Sequence, residues 1–90
     1  MATVRIPTQL RSLSGGEGEV MVDGSTVGPV LAGLETAHPG FKARLFGEDG
    51  QLRRFVNVFV ADEDVRFLKG LDTAVAEGQT VSIIPAVAGG

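Results

Sequence analysis

Alternation of apolar and polar side chains marks most of the extended segments of this 90-residue chain. From Ala2 to Leu10, Val4 and Ile6, with Thr8, share one face while Arg5 takes the other, which predicts a first strand; Pro7 assigns it one unpaired side. Ser12 to Gly18 reads as a turn-rich connection. A second strand is expected over Glu19–Asp23, where Val20 and Val22 alternate with Glu19, Met21 and Asp23. The two form a hairpin with one apolar and one wetted face. After Asp23-Gly24-Ser25 the period changes, because Val27, Val30, Leu31 and Leu34 fall at i, i+3, i+4 and i+7 and make one helical stripe. Ser25 is the expected N-cap, and Pro39 disfavours helical geometry at His38, so the helix ends there. Gly28, Pro29 and Gly33 weaken it in isolation, so it forms when docked on a sheet, with the two glycines permitting close approach.

Phe41, Leu45 and Phe46 indicate a short second helical turn before the loop Gly47-Glu48-Asp49-Gly50. The clearest strand runs from Leu52 to Val60, with Val56, Val58 and Val60 on the core face and Phe55, Asn57 and Phe59 on the wetter one. Ala61-Asp62-Glu63-Asp64 turns into a short strand Val65-Arg66-Phe67, and a compact segment follows around Leu71, Ala74 and Val75. Glu77-Gly78-Gln79 then leads to a last strand, with Val81 and Ile83 inward, Ser82 and Ile84 outward, and regular pairing ended by Pro85. A hairpin, a crossover helix and further strands make an α+β domain: a mixed sheet of about four to five strands packed on one main helix.

Beyond Pro85, the residues Ala86, Val87, Ala88, Gly89 and Gly90 offer one modest apolar side chain. Such a segment cannot offset its ordering entropy in a core, so residues 1–85 are expected to form the domain and residues 86–90 a flexible tail. Without Cβ atoms, a Gly-Gly end can enter a narrow channel and bring its backbone close to a nucleotide. The carboxylate of Gly90 is therefore the candidate working group.

Composition narrows the function classes. One small domain of this length buries only somewhat more than about 60% of its unfolded surface. The formal charge of −3 argues against a nucleic-acid binder that relies on a basic face. Without cysteine there is no disulfide framework, thiolate metal site or thiol nucleophile. No apolar run approaches a membrane span and no signal core opens the chain, which places the protein in the cytoplasm, away from membranes.

His38, the single histidine, has no second histidine or cysteine to complete a metal site and reads as solvated or structural. Asp62, Glu63 and Asp64 read as a solvated turn lacking the glycine and distal glutamate of a calcium loop. Gly15-Gly16-Glu17-Gly18 lacks the lysine of a phosphate-binding loop, and Arg53 and Arg54 read as surface charges beside a strand, with acids on a partner as the alternative. No acid, base and nucleophile cluster, so the chain is not expected to be an enzyme, to bind a metal or to hold a cofactor. Phe55, Phe59 and Ile84 lie on the outer sheet face near the base of the tail. Either they form a docking patch, or Phe41, Phe46 or the loop from Leu68 covers them.

Four segments together carry a resemblance: Phe55-Val56-Asn57-Val58, Asp62-Glu63-Asp64-Val65-Arg66, Glu77-Gly78-Gln79-Thr80-Val81 and the ending Pro85-Ala86-Val87-Ala88-Gly89-Gly90. With the element order they resemble the MoaD/ThiS sulfur carriers, and within that family the carriers of cysteine biosynthesis. The likeness thins out around Arg11–Glu19 and Glu48–Gln51. It implies a ubiquitin-like β-grasp fold and a sulfur carrier. An E1-like enzyme of the MoeB/ThiF/MoeZ type would use ATP and Mg²⁺ to adenylate Gly90, and sulfur would then replace AMP to leave a thiocarboxylate. The acceptor implied is a cysteine synthase that carries pyridoxal phosphate and accepts O-phosphoserine, followed by a metallopeptidase. Those cofactors belong to the partners. A carrier already ending in Gly-Gly needs no trimming. Molybdopterin, thiamin or sulfur-containing natural products are alternative destinations. A ubiquitin-like modifier joined to lysines through Gly90, and an interaction domain with an inert tail, are the competing classes.

Overall fold

A computed structural model describes residues 1–53 and 56–85. Five strands form one sheet: β1 (Ala2–Arg5), β2 (Glu19–Val22), β3 (Val56–Val60), β4 (Glu63–Asp64) and β5 (Thr80–Pro85), in the spatial order β2-β1-β5-β3-β4. β1 pairs antiparallel with β2 and parallel with β5, while β3 is antiparallel to both β5 and β4. The last strand in sequence is thus the middle strand in space.

The helix α1 (Val27–Ala37) covers one face of this sheet, followed by the short α2 (Phe41–Leu45). Val27, Val30, Leu31 and Leu34, the expected apolar stripe, are all buried. They meet Val4, Val58, Val81 and Ile83 from the sheet, with Phe41 and Leu45 closing the cluster. The expected alternation holds in β3 and β5, where Val56, Val58, Val60, Val81 and Ile83 are buried. Gly33 lets α1 press on β2, because a Cβ built there would lie 2.5 Å from Val22 Cγ1. At Gly28 the nearest atom to such a Cβ is the Leu71 carbonyl oxygen at 3.4 Å, an ordinary contact, so only Gly33 carries the expected close approach.

Several boundaries differ from the expectation. The first strand ends at Arg5, not Leu10, and Thr8–Ser14 winds into a 3₁₀ segment held by buried Leu10 and Ser14. The Ser14 hydroxyl lies within hydrogen-bond distance of the Arg11 and Glu17 carbonyls. Pro7 marks no unpaired edge, since β1 is paired on both sides and has already ended. Ser25 is not the N-cap of α1. Thr26 holds that position without a side-chain bond, and the Val27 amide donates instead to the Thr73 carbonyl at 3.0 Å.

The expected strand at Val65–Phe67 is a 3₁₀ turn, and the short strand lies one step earlier, at β4. The reason is a two-residue hairpin loop: Ala61 and Asp62 both adopt positive φ (51° and 70°), which pairs Val60 with Glu63 at once. The pairing includes Pro85 itself, the last residue of β5, which stands opposite Val56. The β1–β5 register stops at Ser82, so a missing N–H at residue 85 costs no bond on that side. Leu52, expected to open the third strand, forms an isolated bridge with Phe46. Among the described residues, no helix is long and apolar enough to cross a membrane.

Candidate functional site

Of the expected site, β5 positions Ile84 and β3 positions Phe59. Thr80–Ser82 is gripped by β1 on one side, and Val81–Pro85 by β3 on the other. The base of the tail is therefore fixed by two ladders up to Ser82 and by one ladder up to Pro85. Ala86, Val87, Ala88, Gly89 and Gly90, expected to form the working tail, lie outside the described residues, as does Phe55 of the expected patch.

The outer face of the sheet carries a row across all five strands, set by register: Glu19, Arg5, Ser82, Phe59 and Asp64. One step closer to the tail, Ile84 stands opposite Asn57. Ile84 is 49% exposed, a high value for isoleucine, whereas Phe59 is half-buried. Phe41 and Phe46, weighed as covers for this face, belong to the cluster on the helix side.

Arg66 joins the turn after β4 to the same region. Its Nη1 donates to Asn57 Oδ1 at 2.7 Å, its Nη2 to the Arg53 carbonyl at 2.6 Å, and its own amide donates to Asp64 Oδ1 at 2.9 Å. This contact, invisible to periodicity, was not anticipated; Arg66 carried no assigned role. Asp64 caps a 3₁₀ turn and so has a structural use within the acidic segment. Arg53 is more than a surface charge, since Nε and Nη2 both donate to the Ala43 carbonyl. His38 is the C-cap residue of α1, with its amide donating to Leu34. Among the described residues, no group of three or more His, Asp or Glu side chains is arranged to hold a metal ion.

Arg5 and Arg11 flank a hollow beside the end of β1, on the side where β5 runs out. Arg11 Nε donates to the Ile6 carbonyl at 3.1 Å, and Arg5 Nε lies 3.5 Å from Glu19 Oε2. The N-terminal ammonium pairs with Glu77 at the opposite end of these strands, where the Gly78 amide also donates to the Met1 carbonyl.

A mixed five-stranded sheet wrapped on one main helix, with the final strand at its centre, defines a ubiquitin-like β-grasp protein. The sequence model of the ThiS family matches residues 4–90, and the chain belongs to that family. It is 51% identical to the sulfur carrier protein CysO of Mycobacterium tuberculosis over 90 residues, covering 98% of this chain and 97% of that protein. A chain in the crystal structure of the Amycolatopsis orientalis BexX/CysO complex matches with a TM-score of 0.93 and 51% identity, covering 100% of both chains. Small archaeal modifier protein 3 of Haloferax volcanii is 44% identical over 68 residues, covering 76% of this chain and 73% of that protein. The similarity to CysO over the whole chain supports a sulfur-carrier role.

Proposed function

We propose that this protein carries sulfur as a thiocarboxylate on Gly90 and delivers it in biosynthesis, with cysteine formation the favoured destination. The observation that carries the reading is the placement of β5: the strand leading to the Gly-Gly end is the middle of the sheet, so the body is a rigid handle for a slender acyl end.

The chemistry follows from the group. A carboxylate is a poor electrophile, because attack would have to expel an oxide. Adenylation by an E1-like enzyme with ATP and Mg²⁺ forms a C–O–P linkage and releases pyrophosphate, so that AMP becomes the leaving group. Sulfide then forms the C–S bond, AMP departs, and a thiocarboxylate remains. Its sulfur is a soft nucleophile suited to an acceptor enzyme such as a pyridoxal-phosphate cysteine synthase that uses O-phosphoserine, with a metallopeptidase to restore the carrier. ATP, Mg²⁺ and pyridoxal phosphate act on those partners, and the chain contributes the acyl carbon and the surface that docks. Within that surface, Ile84 and Phe59 form the patch for the activating enzyme.

The test is a reconstituted loading reaction with an E1-like enzyme, ATP, Mg²⁺ and sulfide. The C-terminal peptide should gain the mass of one oxygen replaced by sulfur, and deletion of Gly89 and Gly90 should abolish sulfur delivery; delivery by the deleted chain would end the proposal. The modifier reading is less favoured, since the chain is 51% identical to the carrier over 98% of its length and 44% identical to the modifier over 76%. Gly-Gly remnants on the lysines of other proteins would favour it instead.

A further inference from the structure

Guanidinium groups gather around an exposed isoleucine. Ile84 lines a hollow of about 370 Å³ together with Arg5, Thr8, Gln9, Arg11 and Ser82, and no carboxylate is among the lining residues. On the other flank of Ile84, Asn57 stands directly opposite and is held by Arg66. This positive charge is local, since the chain as a whole carries −3.

The guanidiniums are incompletely neutralised. Arg5 meets Glu19 through Nε alone, at 3.5 Å, and both side chains are largely solvated. Arg11 donates its Nε to the Ile6 carbonyl, an uncharged acceptor, and among the described residues it forms no ion pair. Arg66 directs Nη1 and Nη2 to two neutral oxygens. The competing acids are Glu17 and Glu19, around an adjoining hollow that shares Arg5 and Arg11, and Asp64, which accepts from the Arg66 amide. In the described contacts the Nη groups of Arg5 and Arg11 remain as donors for a carboxylate, which accepts from a guanidinium in a fork.

The setting selects the kind of anion. A free phosphate would use the charge and leave Ile84 in water. A protein surface that buries the isoleucine brings its own side chains over the hollow. There a carboxylate meets two guanidiniums beside an apolar neighbour, whereas a neutral or basic side chain leaves them desolvated and unmatched.

We propose that the hollow between Arg5 and Arg11 receives an acidic side chain, Asp or Glu, of the activating enzyme that docks on Ile84, so that charge as well as apolar contact selects the partner. This rests on the reading of Ile84 as part of that enzyme's docking patch. Opposite charge also speeds the encounter, most of all at low ionic strength.

The experiment measures the affinity of the whole chain for the E1-like enzyme of the loading reaction in the absence of ATP, so no sulfur chemistry enters. Arg5→Gln and Glu19→Gln break the same solvent-exposed ion pair, and a purely structural role gives the same effect in both. The hollow requires opposite signs. Arg5→Gln should weaken binding about five- to tenfold, whereas Glu19→Gln, which frees Arg5 from its competitor, should tighten it about two- to fivefold. Raising the salt from about 0.05 M to about 0.5 M should weaken binding of the unaltered chain severalfold and that of Arg5→Gln less. Equal affinity of Arg5→Gln and the unaltered chain at low salt overturns the proposal, as do effects of the same sign from the two variants. Ile84→Glu tests the underlying reading: full affinity there removes the docking patch, while weak binding by Ile84→Glu with full affinity in Arg5→Gln removes the acid in the hollow alone.

Discussion

Ile84 of β5 stands directly opposite Asn57 of β3, and Asn57 Oδ1 is itself held by Arg66 Nη1 at 2.7 Å. The exposed isoleucine therefore sits on a backbone fixed by a ladder and a side-chain clamp, at the last paired residues before the tail. A rigid apolar anchor of this kind is what a docking enzyme can use. Ile84→Glu should reduce kcat/KM for adenylation about tenfold or more while changing stability by no more than about 1 kcal/mol. Phe59→Glu should act in the same direction at a larger cost in stability, since its ring is half-buried. Steady-state adenylation assays paired with urea unfolding separate the two effects; wild-type adenylation in both variants would remove the patch.

Arg66 spans three elements with one side chain, so its loss should be felt beyond the surface. Arg66→Ala removes the donors to Asn57 and to the Arg53 carbonyl and should destabilise the fold by about 1 kcal/mol. Arg66→Lys should restore little of this, because an ammonium cannot reproduce the fork that reaches both oxygens. Chemical denaturation gives the stability change, and amide exchange at Val56–Val58 reports whether the start of β3 loosens.

The contact of α1 with β2 tolerates no added carbon at Gly33. Gly33→Ala should cost about 1–3 kcal/mol, as α1 or Val22 must move to admit a Cβ. Gly28→Ala, in the same helix but at an ordinary contact distance, should be neutral or stabilising by up to about 1 kcal/mol. Thermal unfolding of the two variants side by side gives opposite signs if the packing is as described.

Ala61 pays a conformational cost that a glycine would avoid. With φ at 51° its Cβ crowds the following carbonyl, and Ala61→Gly should stabilise the protein by about 0.5–1 kcal/mol. An unchanged or lowered unfolding midpoint would mean that the β3–β4 turn relaxes without strain.

Elements built on a repeated pattern were readable from the chain. The stripe Val27, Val30, Leu31 and Leu34 and the alternation Val56, Val58 and Val60 each state their period several times, and burial follows it. Ends and irregular turns were not readable in the same way. Leu10 continues the apolar character of the first strand but is buried from a 3₁₀ segment, whose end Ser14 ties to the Arg11 and Glu17 carbonyls, contacts that no pattern encodes. The shift of the short strand to Glu63–Asp64 rests on two non-glycine residues at positive φ, which sequence rules assign mostly to glycine and asparagine. At the site, Ile84 and Phe59 were placed on the outer face by parity alone. Arg5 and Arg11 gained no role, because their meeting with Ser82 and Ile84 is made by parallel pairing between residues at opposite ends of the chain.

That pairing has a consequence for biosynthesis. With the last-made strand occupying the middle of the sheet, a nascent copy has two unjoined halves until its final residues leave the ribosome. A product terminated before Thr80 has no seam to close. Closure of the sheet is thereby tied to the order of synthesis: a copy cut short of β5 cannot pair its two halves.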